Sequence, residues 1–337
     1  MREAALTLLY AKPRGGSIRQ RRASVVAVLL ALTLAACGAG GSSRPQTGKD
    51  SAATTTVPTI LPGTGRPPVT IGDKNFTEQF ILGELYEQAL AAQGFTVSLN
   101  KNIGSTQVTQ LALDDGQLDM YPEYIGTFDQ DVANDARSFP SARAAFTAAE
   151  RYAVAHGLQL LRPTPFADSD AIAVLSSYGA EHHLRTIADL SRVQRGMTLG
   201  APSQFQGSQT GLLGIESTYG VVPAHFQPLG IGLQYQALQD RSVQAADVFT
   251  TDGQLASGQY RLLRDPQHVF GFENVVPVVT QDALLAEGPA FVHTIDSVSA
   301  TLTTEAMRLL NAAVNIYNQT PASVARQFLM ENGLLSG

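Results

Sequence analysis

The alternation of short β-type runs with helix-length amphipathic runs limits the possible folds of this sequence more than any other feature. A run at 69–71 leads into a helical pattern that starts at Thr77, the predicted N-cap, and ends at Gly94. The same order recurs along the chain, as far as an apolar run at 275–279 and a helical region at 301–329. This pattern predicts an α/β fold whose largely parallel sheets are covered by helices on both faces.

A candidate ligand site lies at the end of one predicted strand, residues 118–121. Pro122 is expected to end this strand, because proline cannot donate to a central ladder. The turn that follows presents Tyr124 and Thr127, and ligands of open α/β sheets bind at such strand ends. Taken alone, the segment favours a half-buried turn tyrosine with no role in binding. A second strand end, at Phe249, repeats the arrangement, so that each half of the fold is expected to present one aromatic ring.

The N-terminus has the features of a bacterial secretory signal. Residues 1–23 are strongly basic, and an apolar run at 25–36, too short to span a bilayer, follows them. This run ends at Cys37, the single cysteine of the chain, so no intramolecular disulfide can form. We expect residues 1–36 to be a cleaved signal peptide and Cys37 to be the lipidated first residue of the mature chain. The alternative is a cut nearby, beside an incidental cysteine.

Residues 37–68 are expected to be this lipidated cysteine and a flexible tether. Gly, Ser, Thr and Pro predominate there, and large apolar residues are almost absent. The folded body then starts near Val69, and its roughly 270 residues suffice for two lobes. Removal of the signal peptide changes the net charge from −6 to about −11. A body this acidic is not expected to bind nucleic acid, and no second long apolar run predicts a membrane span.

The sequence offers no catalytic or metal-binding pattern. The histidines are not spaced as metal ligands, and no second cysteine can join them. Ser203 and Ser208 lie outside any G-x-S-x-G elbow, and no lysine follows Gly211 and Gly214 as a phosphate-binding loop requires. We therefore expect no enzymatic activity, no metal and no cofactor.

Four separated motifs resemble the osmoprotectant family of ABC-transporter substrate-binding proteins, which take up glycine betaine, carnitine or choline. The motifs are IGDKNFTEQ at 71–79, NIGST at 102–106, YPEYIGT at 121–127, and the pair TTDG and VVP at 250–253 and 275–277. They occur in order over the whole folded body, which makes the resemblance more specific than any single motif.

The resemblance implies a two-lobed, type II-like periplasmic-binding-protein fold with two crossover strands and the ligand in the cleft between the lobes. Lobe I is expected to comprise residues 69–170 and 273–337, and lobe II residues 171–272. The protein is expected to be a monomer that delivers a small solute to an ABC permease and its ATPase subunits. Its expected location is the extracytoplasmic face of the cell membrane, where the lipid anchor holds it.

The ligand cage of this family consists of several tyrosines around a quaternary ammonium group, with an arginine and a threonine on the carboxylate. Tyr124 and Thr127 match two of these positions. Asp170, Phe249 and Glu273 stand where three further tyrosines are expected. The resemblance thus implies a ligand-binding role for these five residues in a partly altered cage.

Phe76, beside the predicted start of the first helix, is the sixth candidate ligand-binding residue. The arginine of the family aligns near Ser208, so the cation for a solute carboxylate is missing. Asp170 and Glu273 would attract a cation and repel a carboxylate, which predicts a choline-like rather than a betaine-like solute. Alternatively, they accept hydrogen bonds from a hydroxylated neutral or aromatic solute, or they point to solvent. A lipoprotein enzyme or assembly factor that reuses the fold is the alternative from another functional class.

Overall fold

A computed structural model describes residues 60–336 of the chain. The predicted signal peptide, Cys37 and the predicted tether up to residue 59 lie outside the described residues. Within residues 60–336, no helix is both long enough and apolar enough to cross a bilayer.

In this described part of the chain, ten strands form two five-stranded sheets with the orders β2-β1-β3-β10-β4 and β7-β6-β8-β5-β9. The strands of the first sheet are β1 (Val69–Gly72), β2 (Val97–Asn100), β3 (Met120–Tyr124), β4 (Leu158–Leu160) and β10 (Val275–Thr280). Those of the second are β5 (Asp170–Leu175), β6 (Thr198–Ala201), β7 (His225–Pro228), β8 (Ala245–Phe249) and β9 (Tyr260–Leu262).

Helices cover both sheets. Those that precede β5 are α1 (Thr77–Ala92), α2 (Thr106–Asp114), α3 (Ile125–Thr127) and α4 (Ala142–Ala155). Those between β5 and β10 are α5 (Ser176–Glu181), α6 (Leu212–Tyr219) and α7 (Gln234–Gln239). Those after β10 are α8 (Gln281–Glu287), α9 (Pro289–Thr301), α10 (Thr304–Asn315) and α11 (Pro321–Glu331). A π-helical turn, Phe128–Val132, extends α3, and a 3₁₀ turn, Gly253–Ser257, follows β8.

Each sheet is mixed: four of its five strands run in one direction, in keeping with the prediction of largely parallel sheets, and one strand runs against them. In the first sheet β1 runs parallel to β2 and β3, whereas β10 runs antiparallel to β3 and β4. In the second sheet β6 runs parallel to β7 and β8, whereas β5 runs antiparallel to β8 and β9. The two antiparallel strands, β5 and β10, each enter their sheet from a segment that connects the sheets, and therefore run against their neighbours.

Pro122 lies inside β3 and does not end it, which corrects a prediction. β3 is central in its sheet, and Pro122 stands directly opposite Pro277 of β10. Residues that face each other in an antiparallel ladder form either a hydrogen-bonded or a non-hydrogen-bonded pair. Two prolines can face each other only in the second kind, because neither has an N–H to donate. The strand therefore continues to Tyr124.

Helix α1 begins as the apolar periodicity predicts, but its N-cap is Phe76 rather than Thr77. Thr77 is the first helical residue, and its hydroxyl donates to Asn315 Oδ1 at 2.8 Å. Ile81 is fully buried in the core of the first sheet, and Gly94, with φ +83°, follows the helix end. The helix thereby places its N-terminus at the carboxyl end of β1.

The C-terminal region that is predicted to be helical, residues 301–329, contains separate helices. Thr303 and Thr320 interrupt it, because each hydroxyl accepts a hydrogen bond from a backbone N–H of the following helix, at Ala306 and Ser323 respectively. The buried face of α9, including Ile295, packs in the same core as α1.

The two segments that connect the sheets lie side by side. Asp168 N donates to Glu273 O at 3.0 Å, and Ala167 forms an antiparallel bridge with Asn274. Both segments also contact the ends of central strands, since Gly126 N donates to Phe272 O and Thr250 N donates to Ser169 O, after β3 and β8 respectively. This arrangement brings the strand ends of both sheets to one place.

Candidate functional site

A cleft of about 590 Å³ lies where the strand ends of the two sheets meet the connecting segments. The six candidate ligand-binding residues all line it: Phe76, Tyr124, Thr127, Asp170, Phe249 and Glu273. The fold thus brings together every residue that the resemblance singled out, and their contact with a solute stays a prediction. Ser208 does not line the cleft, although Thr210 does.

Aromatic rings from both sheets line the cleft. Tyr124, the last residue of β3, is buried, and its ring stacks on that of Phe76 with a centroid distance of 6.0 Å and an interplanar angle of 25°. Phe249 ends β8 and stands opposite Asp170 in the β5–β8 ladder. An aromatic face beside a carboxyl group is a favourable place for an organic cation.

Lys74 is a cleft residue that the sequence-based list lacks. It follows β1 within the first family motif, and its position beside Phe76 was the available signal. The ammonium lies 4.8 Å from the ring centroid of Tyr124, forms an ion pair with the buried Glu123, and donates to Thr106 Oγ1 at 3.1 Å. Among residues 60–336, Lys74 is the one basic side chain that lines the cleft.

Glu273 contacts the turn after β3. The N–H and the hydroxyl of Thr127 both donate to Glu273 Oε2, at 3.1 and 3.4 Å. A Cβ on Gly126 would overlap with Glu273 Oε1 and lie 2.8 Å from its Cδ. Burial raises the pKa of Glu273 to about 8, against the lowering effect of the Thr127 hydrogen bonds.

A buried network joins α1, the first connection, the turn after β8 and α10. Tyr124 OH donates to Glu78 Oε1 at 2.9 Å, and Asn311 Nδ2 donates to Glu78 Oε2 at 2.8 Å. The Thr251 hydroxyl donates to Asp168 Oδ1 at 2.6 Å. Glu78, Asp168, Thr251 and Asn311 all line the cleft and are missing from the sequence-based list. Glu78 and Thr251 lie within the family motifs at 71–79 and 250–253, which was the available signal for these two.

Two further carboxyl groups lie on the second sheet. Burial raises the pKa of Asp170 to about 6. Asp247, two residues before the end of β8, is also buried. Its burial and the neighbouring carboxyl group of Asp170 raise the pKa of Asp247 to about 9. Desolvation disfavours the charged form of both groups. At neutral pH Asp247 therefore holds its proton, whereas Asp170 is still mostly ionised.

The cleft as a whole is acidic. Five carboxyl groups line it, those of Glu78, Asp168, Asp170, Asp252 and Glu273. The charge of Lys74 is already balanced by Glu123. Within residues 60–336, no group of three or more His, Cys, Asp and Glu side chains is arranged to hold a metal ion. Aromatic rings and buried carboxyl groups together suit the binding of an organic cation.

Comparison with known proteins gives a family match over residues 67–331, to a family described as the substrate-binding domain of ABC-type glycine betaine transport systems. The chain is 33% identical over 279 residues to a glycine-betaine-binding protein of Pseudomonas aeruginosa, with 79% of this chain and 88% of the relative covered. It is 30% identical to the glycine betaine-binding protein YehZ of Escherichia coli, with 81% and 93% covered.

Among solved structures, a glycine betaine/carnitine/choline ABC transporter protein is similar with a TM-score of 0.75 and 23% identity. The match covers 80% of this chain and 100% of the other. The predicted two-lobed α/β fold is thereby confirmed.

Proposed function

Since this chain belongs to the family of substrate-binding domains of ABC-type glycine betaine transport systems, we propose that its cleft binds a quaternary ammonium solute of the choline type. The predicted family is confirmed, and with it the receptor role: the protein binds betaine- or carnitine-type solutes for an ABC importer and is not an enzyme. The finer assignment, a cationic rather than a zwitterionic solute, comes from the geometry of the cleft.

The contact between Glu273 and Thr127 carries this assignment. The carboxylate of a zwitterionic solute needs hydrogen-bond donors, and the family resemblance places it on Thr127. Here both donors of Thr127, its N–H and its hydroxyl, are directed at Glu273 Oε2. The protein's own carboxyl group thus takes the place of the solute's carboxylate.

The rest of the cleft supports the same class of solute. Tyr124, Phe76 and Phe249 offer aromatic faces, each of which contributes up to ~2 kcal/mol to the binding of a desolvated cation. Asp170 adds an acidic group beside Phe249. A purely cationic head group gains from both features, whereas a second, anionic group on the solute would have to displace Glu273.

Lys74 favours a second candidate, a zwitterion such as glycine betaine. Its ammonium lies at the face of Tyr124 and could receive a solute carboxylate. To do so it would have to share its charge with Glu123, its present ion-pair partner. We rank this candidate second, because breaking a buried ion pair leaves an uncompensated charge.

Titration calorimetry with choline and glycine betaine distinguishes the two. We expect choline to bind at least about tenfold more tightly, a difference of ~1.4 kcal/mol. Glu273→Ala releases the donors of Thr127 and should reduce this preference, whereas Glu181→Gln, an exposed carboxyl group elsewhere, should leave it unchanged. Tighter binding of betaine that neither Glu273→Ala nor Asp170→Ala alters would contradict the assignment.

Three proposals concern the protein's place in the importer. We propose that Cys37 carries a lipid that anchors the protein at the extracytoplasmic face of the membrane, and that the protein acts there as a monomer. We also propose that residues 69–170 with 273–337 form one lobe and residues 171–272 the other. The basic and apolar N-terminal pattern supports the first proposal, and the division of the strands between two sheets supports the last.

A further inference from the structure

We propose that Asn311 Oδ1 accepts a hydrogen bond from a hydroxyl group of the solute, which makes the preferred ligand of the cleft a quaternary ammonium alcohol. The inference rests on the proposed function, since it requires a cationic head group in the same cleft. It adds a second recognition point, directed at the uncharged end of the solute, and assigns that point to one side chain of α10.

Two hydrogen bonds fix the orientation of the Asn311 side-chain amide. Its Nδ2 donates to Glu78 Oε2 at 2.8 Å and to the backbone oxygen of Thr251 at 3.0 Å. A backbone carbonyl can only accept, so a flipped amide would set Asn311 Oδ1 against Thr251 O, two acceptors with no proton between them. The amide therefore directs its N–H groups at the protein, and its oxygen points elsewhere.

Within residues 60–336, no donor reaches Asn311 Oδ1, although the side chain is buried. The residue is 5% exposed and lines the cleft. Among the cleft-lining residues of this described part, it has the one buried side-chain nitrogen or oxygen without a hydrogen-bond partner. Buried polar groups are nearly always hydrogen-bonded, because an unpaired one costs free energy. The oxygen is therefore suited to a donor that arrives with the solute.

Asn315 provides an internal comparison, one turn further along α10. It also lines the cleft, but its Oδ1 accepts from the Thr77 hydroxyl at 2.8 Å. Residues four apart lie on the same helix face, so α10 presents two amides to the cleft. A hydroxyl of the protein occupies the oxygen of one amide, and a hydroxyl of the solute is expected to occupy the oxygen of the other.

The position of Asn311 suits a short alcohol attached to the cationic head group. Glu78 links the amide to the cation site, because its other carboxyl oxygen accepts from Tyr124 OH at 2.9 Å. Asn311 thus lies one carboxyl group away from a ring that is proposed to face the ammonium. A quaternary ammonium has no N–H, so a hydroxyl is the donor that such a solute offers. The carboxylate of a zwitterion has no proton to give to Asn311 Oδ1.

Binding requires a small movement at this wall of the cleft. Asn311 Oδ1 is shielded from water in the structure, so the side chain and the hydroxyl must approach each other as the solute enters. The hydrogen bond then forms away from water, where an unpaired polar group is most costly. We therefore expect the cleft to discriminate against solutes that fill the same space without a hydroxyl.

Calorimetry with choline and propyltrimethylammonium tests the hydroxyl directly, since the second cation has a methyl group where choline has its hydroxyl. We expect the wild type to bind choline at least about tenfold more tightly. Asn311→Leu removes the acceptor at similar size, and the two cations should then bind with affinities within about twofold of each other. Asn100→Leu, the same substitution at an exposed position of β2, should keep the wild-type ratio.

A crystal structure of the wild-type protein with choline is the second readout, and it does not depend on the folding of a variant. We expect the hydroxyl oxygen to lie about 2.7–2.8 Å from Asn311 Oδ1, and a separation above about 3.5 Å would overturn the inference. Equal binding of the two cations by the wild type, or an unchanged ratio in Asn311→Leu, would also overturn it while leaving the proposed cation site intact. If betaine binds and neither cation does, the proposed function fails and the inference fails with it.

Discussion

Gly126 and Glu273 determine each other's position in the cleft. The Glu273 carboxyl group lies where a side chain on residue 126 would project, and a Cβ there would come within 2.8 Å of Glu273 Cδ. Only glycine leaves room for Glu273 to reach both donors of Thr127. The cost of burying this carboxyl group is visible in its pKa of about 8. The glycine is therefore part of the binding site, although it offers no functional group.

We predict that Gly126→Ala displaces Glu273. The substitution should lower the free energy of unfolding by about 1–3 kcal/mol, the usual effect of overpacking a buried site. Because the Thr127 donors become available, binding of betaine relative to choline should increase. Gly207→Ala is the control, since no atom lies within 4 Å of a Cβ placed at that position. Thermal unfolding and calorimetry of both variants test this, and equal stability of the two would show that Glu273 does not need the space.

The sequence identified the aromatic residues of the site better than its polar ones. Tyr124 and Phe249 were found because each ends a strand before a Thr/Gly turn, and the structure has both at the cleft. Glu78 and Asp168 were missed, since their partners Asn311 and Thr251 lie 233 and 83 residues away in the sequence. Local sequence does not record such contacts.

Helix α10, one of the helices that cover the first sheet, also contacts the turn after β8. Gly253 approaches this helix so closely that a Cβ there would lie 2.6 Å from Ala312 Cα and 2.7 Å from Ala312 N. Arg308 Nε donates to Thr250 O at 2.7 Å, and Asn311 Nδ2 donates to Thr251 O at 3.0 Å. One face of one helix therefore holds the strand end that presents Phe249.

We predict that Gly253→Ala separates this turn from α10 and lowers both stability and solute affinity. Because the clash is with helix backbone, which cannot rotate away as a side chain can, the loss of stability should reach at least about 1–3 kcal/mol. Gly196→Ala has open space around its Cβ and is the control. Chemical denaturation and choline titration measure the two effects. An affinity that stays constant while stability falls would show that α10 does not position the site.

The periodicity of the sequence predicted most strands and helices correctly. It failed where the end or the direction of a strand depends on a pairing partner that is distant in the sequence. β3 continues through Pro122 because Pro277, far along the chain, lies opposite it. The antiparallel direction of β10 likewise depends on the path between the sheets. Neither fact has a local signature, since a strand's own sequence does not state which neighbour it will pair with.

For the whole molecule, the family resemblance predicted the two-lobed fold, and the cleft predicted the class of ligand. The resemblance was carried by motifs spread over the body, which is why it described the fold reliably. It leaves the solute to be proposed from the cleft, because it implies tyrosines at the positions of Asp170, Phe249 and Glu273. Differences in a few side chains leave the fold intact and change what it binds.

We predict that the molecule is retained at the membrane through Cys37, which lies outside the described residues. Cys37→Ala should release the protein from the membrane fraction or block its processing, because the residue that accepts the lipid is gone. Ser42→Ala, a few residues further on, should change neither. Detergent phase partitioning and the mass of the mature chain provide the measurement. Full retention of the alanine variant would refute the anchor.

The two connections contact each other through Asp168 and Glu273, and this contact links the solute selectivity of the receptor to the motion of its two halves. The same short segments that join the two halves also carry Asp168, Asp170 and Glu273 into the cleft. A substitution that alters the choice of solute therefore also alters the joint about which the halves are expected to turn. We expect selectivity and release rate to evolve together in this protein, and a variant selected for a new nutrient to differ in its speed of delivery as well.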